Sequence, residues 1–288
     1  MRQRARVAGV CSTLVCMAVA WATPAAAASS GLAASAAAKP AGYKIVSADF
    51  SALSGLETSG SVACPKVKGA QTVPLSGGAL IDGNSLQTSI NSSWPTAKGW
   101  NARVSNASAA ADGFTVYAVC AKKMTGYVQQ KSAAVSNPAS SQNGAGYACP
   151  TGDVLLGGGA LSTSHSTLVN LSSSWPAGTS IWYVYMNNAS SARASFNVYH
   201  LCAKLNVSAT GYQLVAGTPV VNAAGTQSGA SVFCPGGLAT IGGGLVTTST
   251  STDVTLNTTF PFAGGWGGDE NNASGANANL TAYVLCAS

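Results

Sequence analysis

Cysteine is the residue type whose number and spacing in this chain most clearly indicate chemistry. Of the eight cysteines, six fall in pairs within a sequence motif that the chain repeats three times. If the copies fold alike, each copy joins its own two cysteines, and this selects one of the 15 pairings that six cysteines allow. Zinc binding is the alternative, but the chain contains no Cys-x-x-Cys spacing. The predicted disulfides are Cys64–Cys120, Cys149–Cys202 and Cys234–Cys286.

Repeated aromatic residues are the candidates for ligand binding. In every copy an aromatic residue precedes a proline, and a tryptophan follows six or seven residues later. Exposed rings of this kind stack on sugar rings, and several copies would add avidity. Burial is the alternative, because large aromatic side chains in a charge-poor β repeat usually contribute to the core. The candidate platforms are Trp94, Trp175 and Phe260, with Trp100, Trp182 and Trp266 as a second ring.

Acid–base chemistry has few candidates in this sequence. The chain has eight acidic residues and two histidines, His165 and His200, which both belong to the second copy. We expect His200 on the outward face of its strand, as an ordinary surface residue. The densest acidic spot is Asp269-Glu270, and two adjacent acids in a loop are usually solvated rather than bound to calcium. We therefore predict no catalytic residue, no metal site and no cofactor.

The repeat itself determines the domain organisation. The copies begin at Gly42-Tyr43, Gly126-Tyr127 and Gly211-Tyr212, and their first cysteines are 85 residues apart each time. Each copy continues through Cys-Pro, a Gly-rich segment, an aromatic residue before proline, a tryptophan, an asparagine and Tyr-x-x-Cys-Ala. We predict β repeats over residues 42–125, 126–210 and 211–288.

Alternating apolar and polar residues predict strands within each copy. The equivalent strand of each copy is predicted at residues 114–120, 196–202 and 280–286. Glycines in the Gly-rich segment indicate a bulge or the close approach of a ring or a backbone. Asn106, Asn188 and Asn272 suit a turn that tolerates left-handed dihedral angles. Each copy should contain about six strands and no helix.

The fold class predicted from these patterns is all-β, with three homologous antiparallel repeats. A pseudo-threefold, β-prism-like arrangement would bring the inner faces of three sheets into one core. Three tandem small β-sandwiches, each with its own disulfide, are the alternative. The connections between copies contain no Pro-rich or Gly/Ser linker, and this favours the closed arrangement.

The second copy carries a motif that resembles a known bacterial domain. It reads Cys149-Pro150-Thr151-Gly152, then Leu156 to Gly159, Ser174 to Pro176, Trp182, Asn188 and Val198 to Ala203. This pattern resembles a repeat domain of secreted proteins from actinomycetes and other bacteria that has no established activity. More distantly, the chain resembles vitelline membrane outer layer protein I, whose β-prism implies the same threefold fold. Neither resemblance implies a catalytic residue.

The first residues predict export from the cell. Three arginines within residues 1–6 precede an apolar stretch and a small-residue segment, with cleavage near Ala26 to Ala28. We assign residues 1–28 to a signal peptide and 29–41 to a flexible Ala/Ser-rich leader. Without the signal peptide, eleven basic and eight acidic side chains remain, which gives a formal charge of about +3. These scattered charges do not favour nucleic acid binding, and no later segment is apolar and long enough to span a bilayer.

These observations predict a secreted, non-enzymatic structural or surface-interaction protein. The expected partners are cell-surface or environmental glycans or envelope components. The chain is expected to be a monomer without stable membrane insertion. A carbohydrate-binding, lectin-like protein that uses the repeated aromatic platforms is the alternative. A hydrolase is the third hypothesis, and it would require a pocket that unites a histidine with a carboxylate.

Overall fold

The computed structural model describes residues 39–288, so the predicted signal peptide and nearly all of the predicted leader lie outside the described residues. The described residues belong to one compact unit. They form antiparallel sheets, which confirms the prediction of an all-β fold. Two short helical segments, α1 (Val207–Thr210) and a 3₁₀ turn (Pro235–Gly237), differ from that prediction. The Asn206 side chain caps α1 by accepting a hydrogen bond from the Ala209 amide.

Each copy supplies six main strands, some of which are interrupted. The first copy contains β1 Lys44–Ala52, β2 Leu56–Ala63, β3 Lys66–Val67, β4 Ala70–Ile81, β5 Thr88–Thr96, β6 Gly99–Asn106 and β7 Asp112–Lys122. The second contains β8 Val128–Lys131, β9 Val135–Asn137, β10 Ser141–Ala148, β11 Val154–Ser162, β12 Val169–Pro176, β13 Ile181–Asn188 and β14 Ala194–Ala203. The third contains β15 Gln213–Ala216, β16 Val220–Asn222, β17 Thr226–Phe233, β18 Ala239–Thr247, β19 Val254–Leu256, β20 Phe260–Phe262, β21 Gly265–Asn272 and β22 Ala278–Ala287.

Two sheets face each other within every copy. In the first copy β1, β7 and β4 form one sheet, which we call the terminal sheet because it holds the first and last strands of the copy. Strands β2, β6 and β5 form the other, the middle sheet. The second and third copies repeat this order. The disulfides Cys64–Cys120, Cys149–Cys202 and Cys234–Cys286 are present as predicted, and each links the two sheets of its own copy.

Strand pairing continues from one copy to the next. The middle sheet of each copy pairs with the terminal sheet of another, so that three composite sheets connect the copies in a closed circuit. At the last junction, Ala79 and Thr259 exchange two backbone hydrogen bonds of 2.8 Å. Tandem sandwiches would lack these bonds, so the pairing favours the closed arrangement. The pairs at the three junctions are Ser93–Ala160, Ser174–Leu245 and Thr259–Ala79.

The repeated glycines allow close contacts within and between copies, as the sequence predicts. A Cβ atom on Gly158 would clash with the Trp182 ring of the same copy. A Cβ atom on Gly159 would clash with the Ser93 carbonyl of the preceding copy. The strand also has a register shift just before these positions, between Leu155 and Gly157. The corresponding glycines are Gly77 and Gly243 at the rings, and Gly78 and Gly244 at the carbonyls.

The Gly-Tyr pair that opens each copy ties the copy to another one. Each glycine has a positive φ, between 61° and 72°, which explains why glycine recurs there. Each tyrosine hydroxyl then donates a hydrogen bond to a carbonyl on the Gly-rich strand of a different copy. Burial raises the pKa of the Tyr43 hydroxyl to about 12. The bonds are Tyr43 to Thr240 (2.8 Å), Tyr127 to Pro74 (2.7 Å) and Tyr212 to Leu155 (2.7 Å).

The repeated asparagines do not adopt left-handed dihedral angles, so that prediction is wrong. The only described non-glycine residues with positive φ are Lys68 and Ser140. The Asn188 side chain is instead buried and holds a turn together. Its amide donates to the carbonyls of Asn137 and Ala192, and its oxygen accepts from Ser190. Asn106 and Asn272 make the corresponding bonds in their copies.

Candidate functional site

The second ring of predicted platforms lies in the core. Trp100, Trp182 and Trp266 are at most 1% exposed. Each indole rests on a glycine of the facing sheet and donates its N–H to a buried hydroxyl. Because no face of these rings reaches solvent, the hypothesis that they bind a ligand is wrong. The bonds are Trp100 to Ser93 (2.8 Å), Trp182 to Ser174 (3.1 Å) and Trp266 to Thr259 (2.8 Å).

The first ring of predicted platforms lies at the surface. Trp94, Trp175 and Phe260 are partly exposed. Each directly follows the residue whose hydroxyl points inward to the buried tryptophan, so strand alternation turns the aromatic ring outward. That preceding residue also pairs across the junction between copies. Each composite sheet therefore presents one aromatic residue at the surface where two copies meet. We call the surface around Trp94 the first patch, that around Trp175 the second patch and that around Phe260 the third patch.

The first patch is charged. The Arg103 guanidinium lies over the Trp94 ring, 5.4 Å from its centroid. Arg103 Nε and His165 Nδ1 lie 3.5 Å and 2.7 Å from the same oxygen, Glu57 Oε1. The Glu57 side chain is only 4% exposed, whereas that of His165 is 71% exposed. The structure thus joins a histidine to a carboxylate that the sequence did not connect, within an ion pair that also includes an arginine.

The second patch is a cluster of three aromatic rings. Trp175 packs on Tyr183 and Tyr185 with ring centroids 5.1 Å and 5.8 Å away, and the two tyrosines lie 5.1 Å apart. Gly144 and Gly146 on the neighbouring edge strand β10 leave room for the tyrosine rings, because a Cβ atom at either position would clash with them. The result is a half-exposed aromatic surface with hydroxyl groups and no charge among these five residues.

The third patch is a strip of rings that crosses the sheet. Tyr117 of the first copy lies 5.4 Å from Phe260, Phe260 lies 6.1 Å from Phe262, and Phe262 lies 5.2 Å from Phe233. Phe233, on the edge strand β17, is 64% exposed. Phe262 lies so close over Gly265 that no Cβ atom fits there, which lets the strip pass across β21.

A groove of about 310 Å³ runs beside this strip. Phe260 and Phe262 line one side, and backbone at Gly229 and Gly267 contributes to its lining. Asp269 is half-buried there, and its Oδ1 lies close over Gly229. Within residues 39–288 this carboxylate forms no ion pair and accepts no hydrogen bond. Burial raises the pKa of the Asp269 carboxyl.

The three patches differ at equivalent positions. The third residue after each buried tryptophan points outward, and it is Arg103, Tyr185 or Asp269. The residue directly after the buried tryptophan is Asn101, Tyr183 or Gly267. Where the second patch has two tyrosines, the third has a glycine and an aspartate, and the Phe262 ring takes up part of the space that remains. Counting from the repeated tryptophan would have identified these positions from the sequence.

His200 is buried, contrary to the prediction of an outward face. Its side chain is 5% exposed, and its Nε2 lies 2.8 Å from Gln130 Oε1. The Tyr147 ring stacks on it with centroids 6.2 Å apart. Burial lowers the pKa of the imidazole. The error lay in the assignment of faces, since strand alternation places His200 with Phe196 and Cys202, which face inward.

The Asp269-Glu270 pair lies in strand β21 rather than in a solvated loop. Asp269 faces the third patch, whereas Glu270 is fully buried. Asn222 donates to Glu270 Oε1 at 3.0 Å and to the Glu270 carbonyl at 2.9 Å, while Oε2 is buried with no partner among the described residues. Burial raises the pKa of the Glu270 carboxyl, and the hydrogen bond from Asn222 opposes that shift.

Replacing Glu270 with methionine should stabilise the protein in a pH-dependent way. Because the carboxyl pKa is higher in the folded state than its ordinary value of 4.5, folding is penalised progressively as the pH rises above that value. Met186 occupies the equivalent position of the second copy, so methionine suits the site. We expect Glu270→Met to raise the free energy of unfolding by about 1–3 kcal/mol at pH 8 and to change it little at pH 4.

Urea unfolding at both pH values measures this difference. The control is Asp253→Asn, which removes an exposed carboxylate instead of a buried one. An equal effect of Glu270→Met at pH 4 and pH 8 would show that the carboxylate is not desolvated.

Two further properties concern the described part of the chain. Residues 39–288 contain no group of three or more His, Cys, Asp or Glu side chains that could hold a metal ion. No helix in this range is long and apolar enough to cross a membrane.

Neither a protein-family model nor a curated protein matches the sequence.

Proposed function

We propose that this chain is a secreted, non-enzymatic surface-interaction protein stapled by three disulfides. Disulfides form and persist in oxidising compartments, which supports an extracellular location after cleavage of a signal peptide near Ala26 to Ala28. Each staple joins the two sheets of its copy, and the copies are paired with one another. We also propose that the copies belong to the bacterial repeat domain that they resemble.

The outward patches are the observation that carries this proposal. The aromatic residues before proline occupy equivalent positions in the three copies, and all three are partly exposed. The three tryptophans of the second ring are buried. Exposed apolar clusters of this kind mark interaction surfaces. Their placement at the junctions means that each composite sheet offers one binding face, so that a single chain could hold an extended partner at more than one point.

Polysaccharide is the partner class that the second patch favours. Tyrosine and tryptophan combine a large apolar ring with a polar group, which suits a ligand whose faces are apolar and whose rim carries hydroxyl groups. Trp175, Tyr183 and Tyr185 form such a surface without a charged side chain in the cluster. The neutral, hydroxyl-rich environment supports binding of an uncharged glycan rather than of an acidic partner.

Sedimentation with insoluble cellulose, chitin and peptidoglycan tests the proposal. We expect the full protein to bind at least one of these, and the variant Trp94→Ala/Trp175→Ala/Phe260→Ala to bind at least about tenfold more weakly. Leu53→Ala is the control, because Leu53 is 51% exposed and lies outside the patches. Equal binding by the triple variant and the wild type would assign the interaction to another surface.

A further inference from the structure

The groove of the third patch has the features of a small-ligand site. It combines an aromatic wall, made by Phe260 and Phe262, with a floor that glycines keep open. Sites for small ligands are typically apolar clefts with a few well-placed polar groups. Here the polar group is the carboxylate of Asp269, which is half-buried and without a partner in residues 39–288.

We propose that this groove binds one pyranose unit of a neutral polysaccharide, with the sugar ring against Phe260 and Phe262, whose planes are inclined by 58°, and its hydroxyls donating to Asp269. The inference rests on the glycan binding proposed above and assigns it to one site. A half-buried carboxylate forms strong, charge-assisted hydrogen bonds with hydroxyl donors, and within residues 39–288 this capacity is unused.

The strip of rings indicates how neighbouring sugar units would be held. Four rings follow one another from Tyr117 to Phe233 at centroid distances of 5.2–6.1 Å. They follow the strand order across the composite sheet, on β7, β20 and β17, with neighbouring ring planes inclined by 40°, 58° and 67°. Such a row offers apolar contacts to successive units of an extended chain and has no single flat face. An organic ammonium ion, which is the other ligand class attracted by aromatic rings and a carboxylate, is best held by rings on several sides.

Comparison with the second patch provides a matched variant. Gly267 corresponds to Tyr183, and a Cβ atom at Gly267 would lie 3.2 Å from Phe262 Cε1 and from the Ala230 carbonyl oxygen, so the Phe262 ring must shift slightly. Gly267→Tyr should fill the groove, and thermal unfolding checks that the strand is retained. Asp269→Asn removes the charge without changing the shape of the side chain. Since the carboxylate is half-buried and accepts no hydrogen bond within residues 39–288, this change should not destabilise the fold.

Calorimetric titration of the full protein with cellohexaose, chitohexaose and mannohexaose tests the site. We expect one of these to bind the wild type, Asp269→Asn to weaken binding at least about tenfold, and Gly267→Tyr to abolish it. Leu53→Ala, at an exposed residue outside the patches, should leave the affinity for a hexasaccharide unchanged. Thermal unfolding of each variant verifies that it is folded.

The other outcomes separate this inference from the proposed function. If both third-patch variants bind as the wild type and Trp175→Ala does not, the groove is not the site, although glycan binding stands. If the wild type binds none of the hexasaccharides and no insoluble polysaccharide, both proposals are wrong. If tetramethylammonium binds the wild type and displaces the sugar, or binds where no sugar does, the groove is a cation site and the inference is overturned.

Discussion

Replacing Trp182 with alanine is expected to lower the free energy of unfolding by about 3–5 kcal/mol, the range observed for removing a large buried aromatic side chain. The indole lies between the two sheets of the second copy on Gly158, and its N–H is bound to Ser174. Its loss leaves a cavity that the glycine beneath cannot fill, and it also leaves the Ser174 hydroxyl without that partner.

Trp175→Ala is the matched control, since Trp175 lies on the opposite face of the same sheet and is partly exposed. We expect this substitution to cost only about 1 kcal/mol. Urea unfolding monitored by circular dichroism measures both values. Trp182→Phe, which keeps most of the ring, provides an intermediate point if the alanine variant does not fold. Similar losses for Trp182→Ala and Trp175→Ala would contradict the assignment of buried and exposed rings.

Removing one disulfide should have an effect of similar size. The Cys149–Cys202 bond closes a loop with a sequence separation of 53 residues. Constraining such a loop in the unfolded chain contributes about 4 kcal/mol in the loop-entropy model. Cys149→Ala/Cys202→Ala is therefore expected to lower the midpoint of urea unfolding strongly. Limited proteolysis of the variant should cleave the second copy faster than in the wild type.

The other two disulfides provide the comparison for this experiment. Their sequence separations are 56 and 52 residues, so the corresponding double variants of the first and third copies should lose nearly the same stability. An unchanged unfolding midpoint in any of the three would show that the bond does not constrain that copy. Complete reduction of the wild type should destabilise it more than any single removal.

The sequence predicted most features that all three copies share. The disulfide pairs followed from the repeat alone, because equivalent cysteines must have equivalent partners. The glycines of the Gly-rich strand followed from the need for close packing, and the structure places Gly158 under Trp182 as that argument requires. The sequence correctly placed Asn188 in a turn, but it attributed the asparagine to left-handed dihedral angles instead of to side-chain hydrogen bonds. A buried amide with three kinds of partner cannot be deduced from a turn propensity.

The features that differ between copies were harder to predict. His200 and Glu270 are inward-facing polar residues at positions where the other copies have apolar ones, and local composition alone suggested exposure for both. The hydrogen bond between Glu57 and His165 joins residues 108 positions apart, and its geometry depends on the contact between the first and second copies. The groove beside Asp269 exists because Gly267 is small, and the significance of that glycine is visible only by comparison with Tyr183.

The central claim is that the three copies form one closed circuit, because this closure creates the junctions at which the patches lie. Amide hydrogen exchange measured by NMR tests it most directly at Ala79 and Thr259, whose amides donate to each other across the junction of the first and third copies. We expect both amides to exchange as slowly as the core amides of β11 and β14. Exchange of Ala79 and Thr259 at the rate of exposed amides, with the sheets of each copy still protected, would contradict the account and indicate three tandem sandwiches.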